Sequence, residues 1–188
     1  AVVDRGQGDE HSCAVVNGAA KCWGYNYAGA LGNGQKGDAT PVTTPVDVVG
    51  LSANVTDIAA GADHSCAIVG GSVKCWGFSY YGQLGNGTSG TYDIYPSPVN
   101  VIGLPAGATK IAAGNNFNCA IVNGGVWCWG DNEQGQLGSP GWPNLSATPI
   151  QASGLESGVT ALAATRTKVC AIKEGILYCW GDGQPVPL

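Results

Sequence analysis

The chain has 188 residues, a net charge of −5 and only eight Lys and Arg. That balance excludes nucleic-acid binding by phosphate neutralisation, and no apolar run approaches the roughly 18 residues that a membrane-spanning helix needs. Charged residues are scarce and Gly reaches 31, so the sequence reads as a packed, turn-rich domain rather than a disordered or helical one.

The sequence starts at Ala1 and contains no Met, which together with eight cysteines suggests a mature secreted protein whose signal has been removed. An even cysteine count at regular spacing reads as a disulfide framework, so an extracellular location is expected.

In chain order, the first unit, residues 1–51, opens on the polar AVVDRGQGDE and continues with HSCAVVNGAAKCWG from His11, GALG at Gly29 and TPVDVVGL. The second, 52–104, carries VTDIAAGADH, HSCAIVGGSVKCWG from His64, GQLG at Gly82 and SPVNVIGL. The third, 105–155, carries ATKIAAGNNF, FNCAIVNGGVWCWG from Phe117, GQLG at Gly135 and TPIQASGL. The fourth, 156–188, carries VTALAATRTK and KVCAIKEGILYCWG from Lys168, loses the long loop and ends on QPVPL. The period between units is 53, 53 and then 51 residues. Alternating apolar residues and Gly-rich joints predict short strands, about four per unit: an Ile-Ala-Ala strand, two hairpin arms and an outermost, Pro-edged strand.

The cysteines pair within each hairpin as Cys13/Cys22, Cys66/Cys75, Cys119/Cys128 and Cys170/Cys179. Centring the hairpins on Asn17-Gly18, Gly70-Gly71, Asn123-Gly124 and Glu174-Gly175 gives a two-residue type I′ turn. Each Cys pair then falls on a non-hydrogen-bonded site, close enough for a disulfide. Zinc sites gather four ligands, often as C-x2-C pairs, and redox sites favour C-x-x-C, so solitary pairs one period apart read as staples. Closing so short a loop contributes about 2.5–3 kcal/mol in the chain-entropy model. No metal or cofactor is implied.

On the second hairpin Cys66, Ile68, Val73 and Cys75 share one face, while Ala67, Val69 and Trp76 share the other. Sheets apolar on both sides must stack, which describes a β-propeller or a related solenoid. Trp23, Trp76, Trp129 and Trp180 are therefore expected between blades, each packed against the next one, with a carbohydrate platform as the alternative. Trp127 and Trp142 break the repeat and, with Tyr92 and Tyr95, are candidate exposed contacts.

The second unit's IAAGADHSCAIV, VKCWG, GQLGNG and SPVNVIGL closely resemble the regulator of chromosome condensation repeat family. The resemblance implies blades of a propeller that usually closes with seven, and the Cys pairs look like those of its secreted, disulfide-bearing branch. The family includes nucleotide-exchange factors and protein inhibitors, so the resemblance does not set a function. The nuclear exchange role does not carry over to an acidic chain without a basic tail. Four blades leave an apolar face at each end, which suits a fragment of a longer ring, two chains sharing a ring, or head-to-tail stacking into a filament. Asp4, Asp9 and Glu10 near the start and Arg166, Lys168 and Lys173 near the end complement each other, as polar caps also would.

Catalytic candidates are weak. Asp63, His64 and Ser65 spell a hydrolase triad, but neighbours on a strand point to opposite faces. DNEQG at Asp131 lacks EF-hand spacing, and GQLGNG lacks the Lys-Ser/Thr ending of a phosphate loop. Asn54, Asn86 and Asn144 begin Asn-x-Ser/Thr sequons, glycan acceptors if the source glycosylates exported proteins. The expected architecture is all-β: four four-stranded blades, each with a stapled hairpin, in a partial, open propeller or half of a shared ring. The expected function is non-enzymatic surface contact outside the cell, most simply a self-associating structural or adhesive subunit. The alternative is a ligand-binding module, inhibitor or lectin, whose partner is an extracellular protein or glycan bound by loops 33–41, 86–96 and 139–148.

Overall fold

At all four hairpin tips both residues take positive φ: 53° and 80° at Asn17-Gly18, 56° and 79° at Gly70-Gly71, 51° and 80° at Asn123-Gly124, 52° and 83° at Glu174-Gly175. These are the dihedral signs of the type I′ turn, whose twist matches that of the flanking strands. They come from a computed structural model that describes residues 11–37, 40–141 and 143–182.

Fourteen strands are described. β1 (His11–Val16), β2 (Ala19–Gly24) and β3 (Val42–Asp47) form the first sheet. β4 (Val55–Ala60), β5 (His64–Val69), β6 (Ser72–Phe78) and β7 (Ile94–Asn100) form the second. β8 (Ala108–Ala113), β9 (Phe117–Val122), β10 (Gly125–Asp131) and β11 (Leu145–Gln151) form the third. β12 (Val159–Ala164), β13 (Lys168–Lys173) and β14 (Ile176–Gly181) form the fourth. Every sheet is an antiparallel meander in chain order. The fourth strands expected of the first and last blades fall in 1–10 and 183–188, outside the described residues.

The hairpin register puts Cys13 opposite Cys22, Cys66 opposite Cys75, Cys119 opposite Cys128 and Cys170 opposite Cys179. All four pairs are disulfides, with Cα atoms 4.0–4.1 Å apart. The outer strands carry Pro45, Pro96, Pro98 and Pro149, whose missing N–H is tolerated at an edge. From each Cys to the Gly two positions on, across Trp23, Trp76 or Trp129, the hairpin arm advances two residues while the outer strand advances four, so the outer strand bulges there. Such a bulge bends the outer strand that carries it.

The sheets stack through three apolar seams. Cys13, Val15, Ala20 and Cys22 of the first sheet meet Ile58, Ala60, Ala67 and Trp76 of the second. Cys66, Ile68, Val73 and Cys75 meet Ile111, Ala120 and Trp129 of the third. Cys119, Ile121, Val126 and Cys128 meet Val169, Ala171 and Trp180 of the fourth. The inner strands β4, β8 and β12 touch in succession, and β4 also touches the first hairpin arm β1. The array is an open propeller of four blades in which each Cys face receives the Trp face of the following blade. Trp76, Trp129 and Trp180 thus pack against the preceding blade, not the next one. Alternation along a strand says which residues share a face; the direction of stacking decides which neighbour that face meets.

Candidate functional site

Each seam is locked by the same polar contact at its rim. The indole Nε1–H of Trp76 donates to the Ala30 carbonyl at 2.7 Å, that of Trp129 to the Gln83 carbonyl at 3.0 Å, and that of Trp180 to the Gln136 carbonyl at 2.9 Å. The three acceptors hold one position in the GALG and GQLG loops. The second glycine of the loop must lack a side chain: a Cβ on Gly85 (φ +64°) would lie 3.0 Å from the Trp129 ring, and one on Gly32 (φ +66°) 2.7 Å from that of Trp76. The loops therefore serve the seams.

A second polar contact lies beneath. Ser65 Oγ donates to the Ala30 carbonyl at 3.0 Å, so it accepts from His11 Nε2 at 2.8 Å. One blade on, Asn118 Nδ2 donates to the Gln83 carbonyl at 2.7 Å, which turns its Oδ1 toward His64 Nε2 at 3.0 Å. The imidazole proton of His64 is thereby placed on Nε2, and its buried Nδ1 has no partner. The third seam replaces this polar pair with Phe117 and Val169, both buried. Asp57 adds a link between inner strands, accepting from the Ile111 amide at 3.1 Å with Lys110 Nζ 3.6 Å away.

These contacts separate Asp63, His64 and Ser65. Ser65 serves the first seam and His64 the second, while Asp63 accepts from the Tyr27 hydroxyl at 2.9 Å. Burial pushes the His64 pKa down to about 4, partly opposed by its bond to Asn118 and by the Asp63 charge. Burial and then the nearby His64 push His11 down to about 4. Both histidines are neutral wedges between blades.

Among the described residues, no further sheet covers the outward faces of the first and last sheets. Trp23 is half-buried, unlike its three counterparts. On the last blade the Cys170–Cys179 face leaves Ile172 38% and Leu177 65% exposed, and the disulfide itself half-exposed. Two cations at this end are engaged locally: Lys168 Nζ lies 3.1 Å from Asp182, and Lys173 Nζ donates to the Gly154 carbonyl at 2.8 Å. Asp4, Asp9 and Glu10 lie outside the described residues.

Of the candidate contact residues, Tyr92 is 79% exposed. Trp127 and Tyr95 are half-buried against the second seam, because the rim of the seam reaches onto the outer half of the sheets. Trp142 lies outside the described residues. Sequence reasoning missed that Tyr92 belongs to a ring cluster: its centroid is 4.8 Å from Tyr80 and 5.9 Å from Phe78, with Tyr81 edge-on to Tyr80 at 5.1 Å. The signal was present, since blades one and two carry aromatics just after the Trp-Gly where blade three carries Asp131 and Glu133. Among the sequons, Asn54 and Asn144 are exposed, and Asn86 is half-buried with its Oδ1 accepting from the Thr88 hydroxyl at 2.7 Å.

Comparison with known proteins fits this geometry. The ultraviolet-B receptor UVR8 of Arabidopsis thaliana is 33% identical over 186 residues, covering 94% of this chain and 40% of that protein. The human E3 ubiquitin-protein ligase HERC2 is 29% identical over 186 residues, 94% of this chain but 4% of its own length. Yeast RCC1 (Prp20), solved bound to Kap60, superposes with a TM-score of 0.80 at 22% identity, over 96% of this chain and 43% of that one. The chain thus spans less than half the length of each. The model of the regulator of chromosome condensation (RCC1) repeat matches residues 17–68, 70–121 and 123–172. Each match begins near one hairpin turn and ends in the next hairpin, so a sequence repeat straddles two blades. With these matches covering most of its length, the chain belongs to the RCC1 repeat family.

Proposed function

We propose that the chain is a non-enzymatic contact module that works outside the cell and associates with a second copy through its uncovered seam faces. RCC1-type propellers often mediate protein binding, and Prp20 was solved bound to Kap60. The observation that carries the reading is the last blade's Cys170–Cys179 face, where Ile172 and Leu177 stand exposed. The equivalent face of every other blade is covered by a Trp-bearing sheet, and Trp23 presents such a sheet at the opposite end. The contact between copies is therefore mostly apolar.

A non-enzymatic role is supported by the positions of the two histidines, both consumed in seams. Four disulfides and no free cysteine support export. Static light scattering tests the association: a mass above 18.9 kDa that rises with concentration is expected. Trp23→Lys and Leu177→Lys should each restore the monomer. A stable monomer of the unaltered chain at micromolar concentration refutes the reading.

A further inference from the structure

We propose that the edge formed by the β2–β3, β4–β5, β6–β7 and β10–β11 loops is a docking surface for an extended, cationic peptide segment. It lies apart from the seam faces, on the side opposite the hairpin tips. Phe78, Tyr80 and Tyr92 form a triangle of rings with centroids 4.8–6.4 Å apart, Tyr92 being 79% exposed. Tyr27 of the first blade carries the aromatic strip one blade back, tied to Asp63 by its hydroxyl.

The fold does not require these rings. Blade three builds the same sheet with Asp131 and Glu133 at the positions of Phe78 and Tyr80. Tyr92 and Tyr27, exposed rings beside the half-buried Phe78 and Tyr80, are ones the scaffold can do without and point to a partner.

Charge identifies the partner's chemistry. Among the described residues these loops carry Asp63, Asp93 and Glu133, with Asp131 at the end of β10, against one cation, the exposed Lys36 at the far end of the β2–β3 loop. Ring faces and carboxylates both attract cations, and a guanidinium or ammonium over an exposed ring gains about 0.5–1 kcal/mol. An anionic partner is repelled. A neutral glycan would stack on the rings but gain nothing from four like charges. An aromatic strip running from the β6–β7 loop to the β2–β3 loop matches an extended peptide better than a compact ligand.

The test is fluorescence anisotropy of the intact chain with a fluorescein-labelled Gly-Arg alternating peptide, a Gly-Glu counterpart, and cellohexaose as competitor. The Gly-Arg peptide should bind, more weakly as salt is raised, and the Gly-Glu peptide should not. Tyr92→Ala should weaken binding about threefold, and Tyr80→Ala with Tyr92→Ala about tenfold, in proportion to one or two lost ring contacts. Glu156→Gln, on the opposite edge, should change nothing, and Leu177→Lys should leave peptide binding intact whether or not the chain self-associates. Circular dichroism confirms that each variant is folded. An affinity unaffected by the tyrosine pair, an equal loss in Glu156→Gln, or displacement by cellohexaose would each overturn the proposal.

Discussion

Replacing His64 and Asn118 by the residues that the next seam uses, Phe and Val, turns a polar wedge into an apolar one at a single place. Asn118→Val alone removes the one partner of His64, whose Nδ1 already lacks one. It also strips one of two side-chain donors from the Gln83 carbonyl, which keeps Trp129. An orphaned buried polar group costs about 1–3 kcal/mol and the second lost bond about 1, so this variant should lose about 2–4 kcal/mol. His64→Phe alone orphans Asn118 Oδ1 and should lose about 1–3 kcal/mol. A Phe ring fits there, because Gly61 and Gly114 leave the same gap for His64 and Phe117. The double variant reproduces the Phe117–Val169 arrangement and should lie within about 1 kcal/mol of the parent, a coupling of at least 2 kcal/mol. Urea unfolding of the four proteins measures it.

The same variants predict the pH dependence. The imidazole of His64 has a native pKa of about 4 against 6.5 when unfolded, so below 6.5 the unfolded chain binds the extra proton. Its contribution is complete above that value and is lost as pH falls toward 4, at about 1.4 kcal/mol per pH unit and about 3 kcal/mol in all. His11, also lowered to about 4, adds a similar slope. The double variant should keep only the His11 half. Additive single losses, or an unchanged slope in the double variant, would show that the histidine is not the buried neutral wedge described.

The seam glycines should rank by what a side chain meets. Gly85→Ala forces a Cβ to 3.0 Å from the Trp129 ring and should cost at least about 2 kcal/mol, whereas Gly50→Ala, equally left-handed but with nothing within 4 Å, should cost about 1; thermal melts compare them. Glu174 holds φ 52° where two other turns have Asn, so Glu174→Asn should raise stability by about 0.5–1 kcal/mol in the same assay. Under graded reductant, Cys170–Cys179 should open first, since the other three disulfides are buried in seams and it is half-exposed; alkylation followed by mass spectrometry gives the order.

The parts of the fold legible in the sequence are those encoded within one repeat. Asn-Gly and Gly-Gly fix the turn, the turn fixes the register, and the register brings the cysteines together. The direction of the tryptophans was not legible, because it depends on how whole sheets stack rather than on alternation along a strand. Trp127 reads as exposed because it breaks the repeat, yet departure from a pattern reports a change of neighbour as readily as a loss of one, and Tyr95 shares that neighbour. Here the neighbour is the rim of the second seam.

The polar wedges needed one further step: comparing each repeat with the next at an offset of one residue. His11 meets Ser65, His64 meets Asn118 and Phe117 meets Val169, polar with polar and apolar with apolar. A mismatched pair would bury an orphaned imidazole or an unpaired amide, a penalty of about 1–3 kcal/mol against any exchange of neighbours. Near-identical blades otherwise present near-identical faces to one another, and apolar packing alone discriminates poorly among them. The wedge position therefore acts as an address that favours the native order of blades. It bears on the ends as well, where the same offset would set Lys168 of one copy against Ser12 of another. A lysine can donate to a serine hydroxyl, so the polar match extends across the proposed contact between copies, although Lys168 must first loosen its pairing with Asp182.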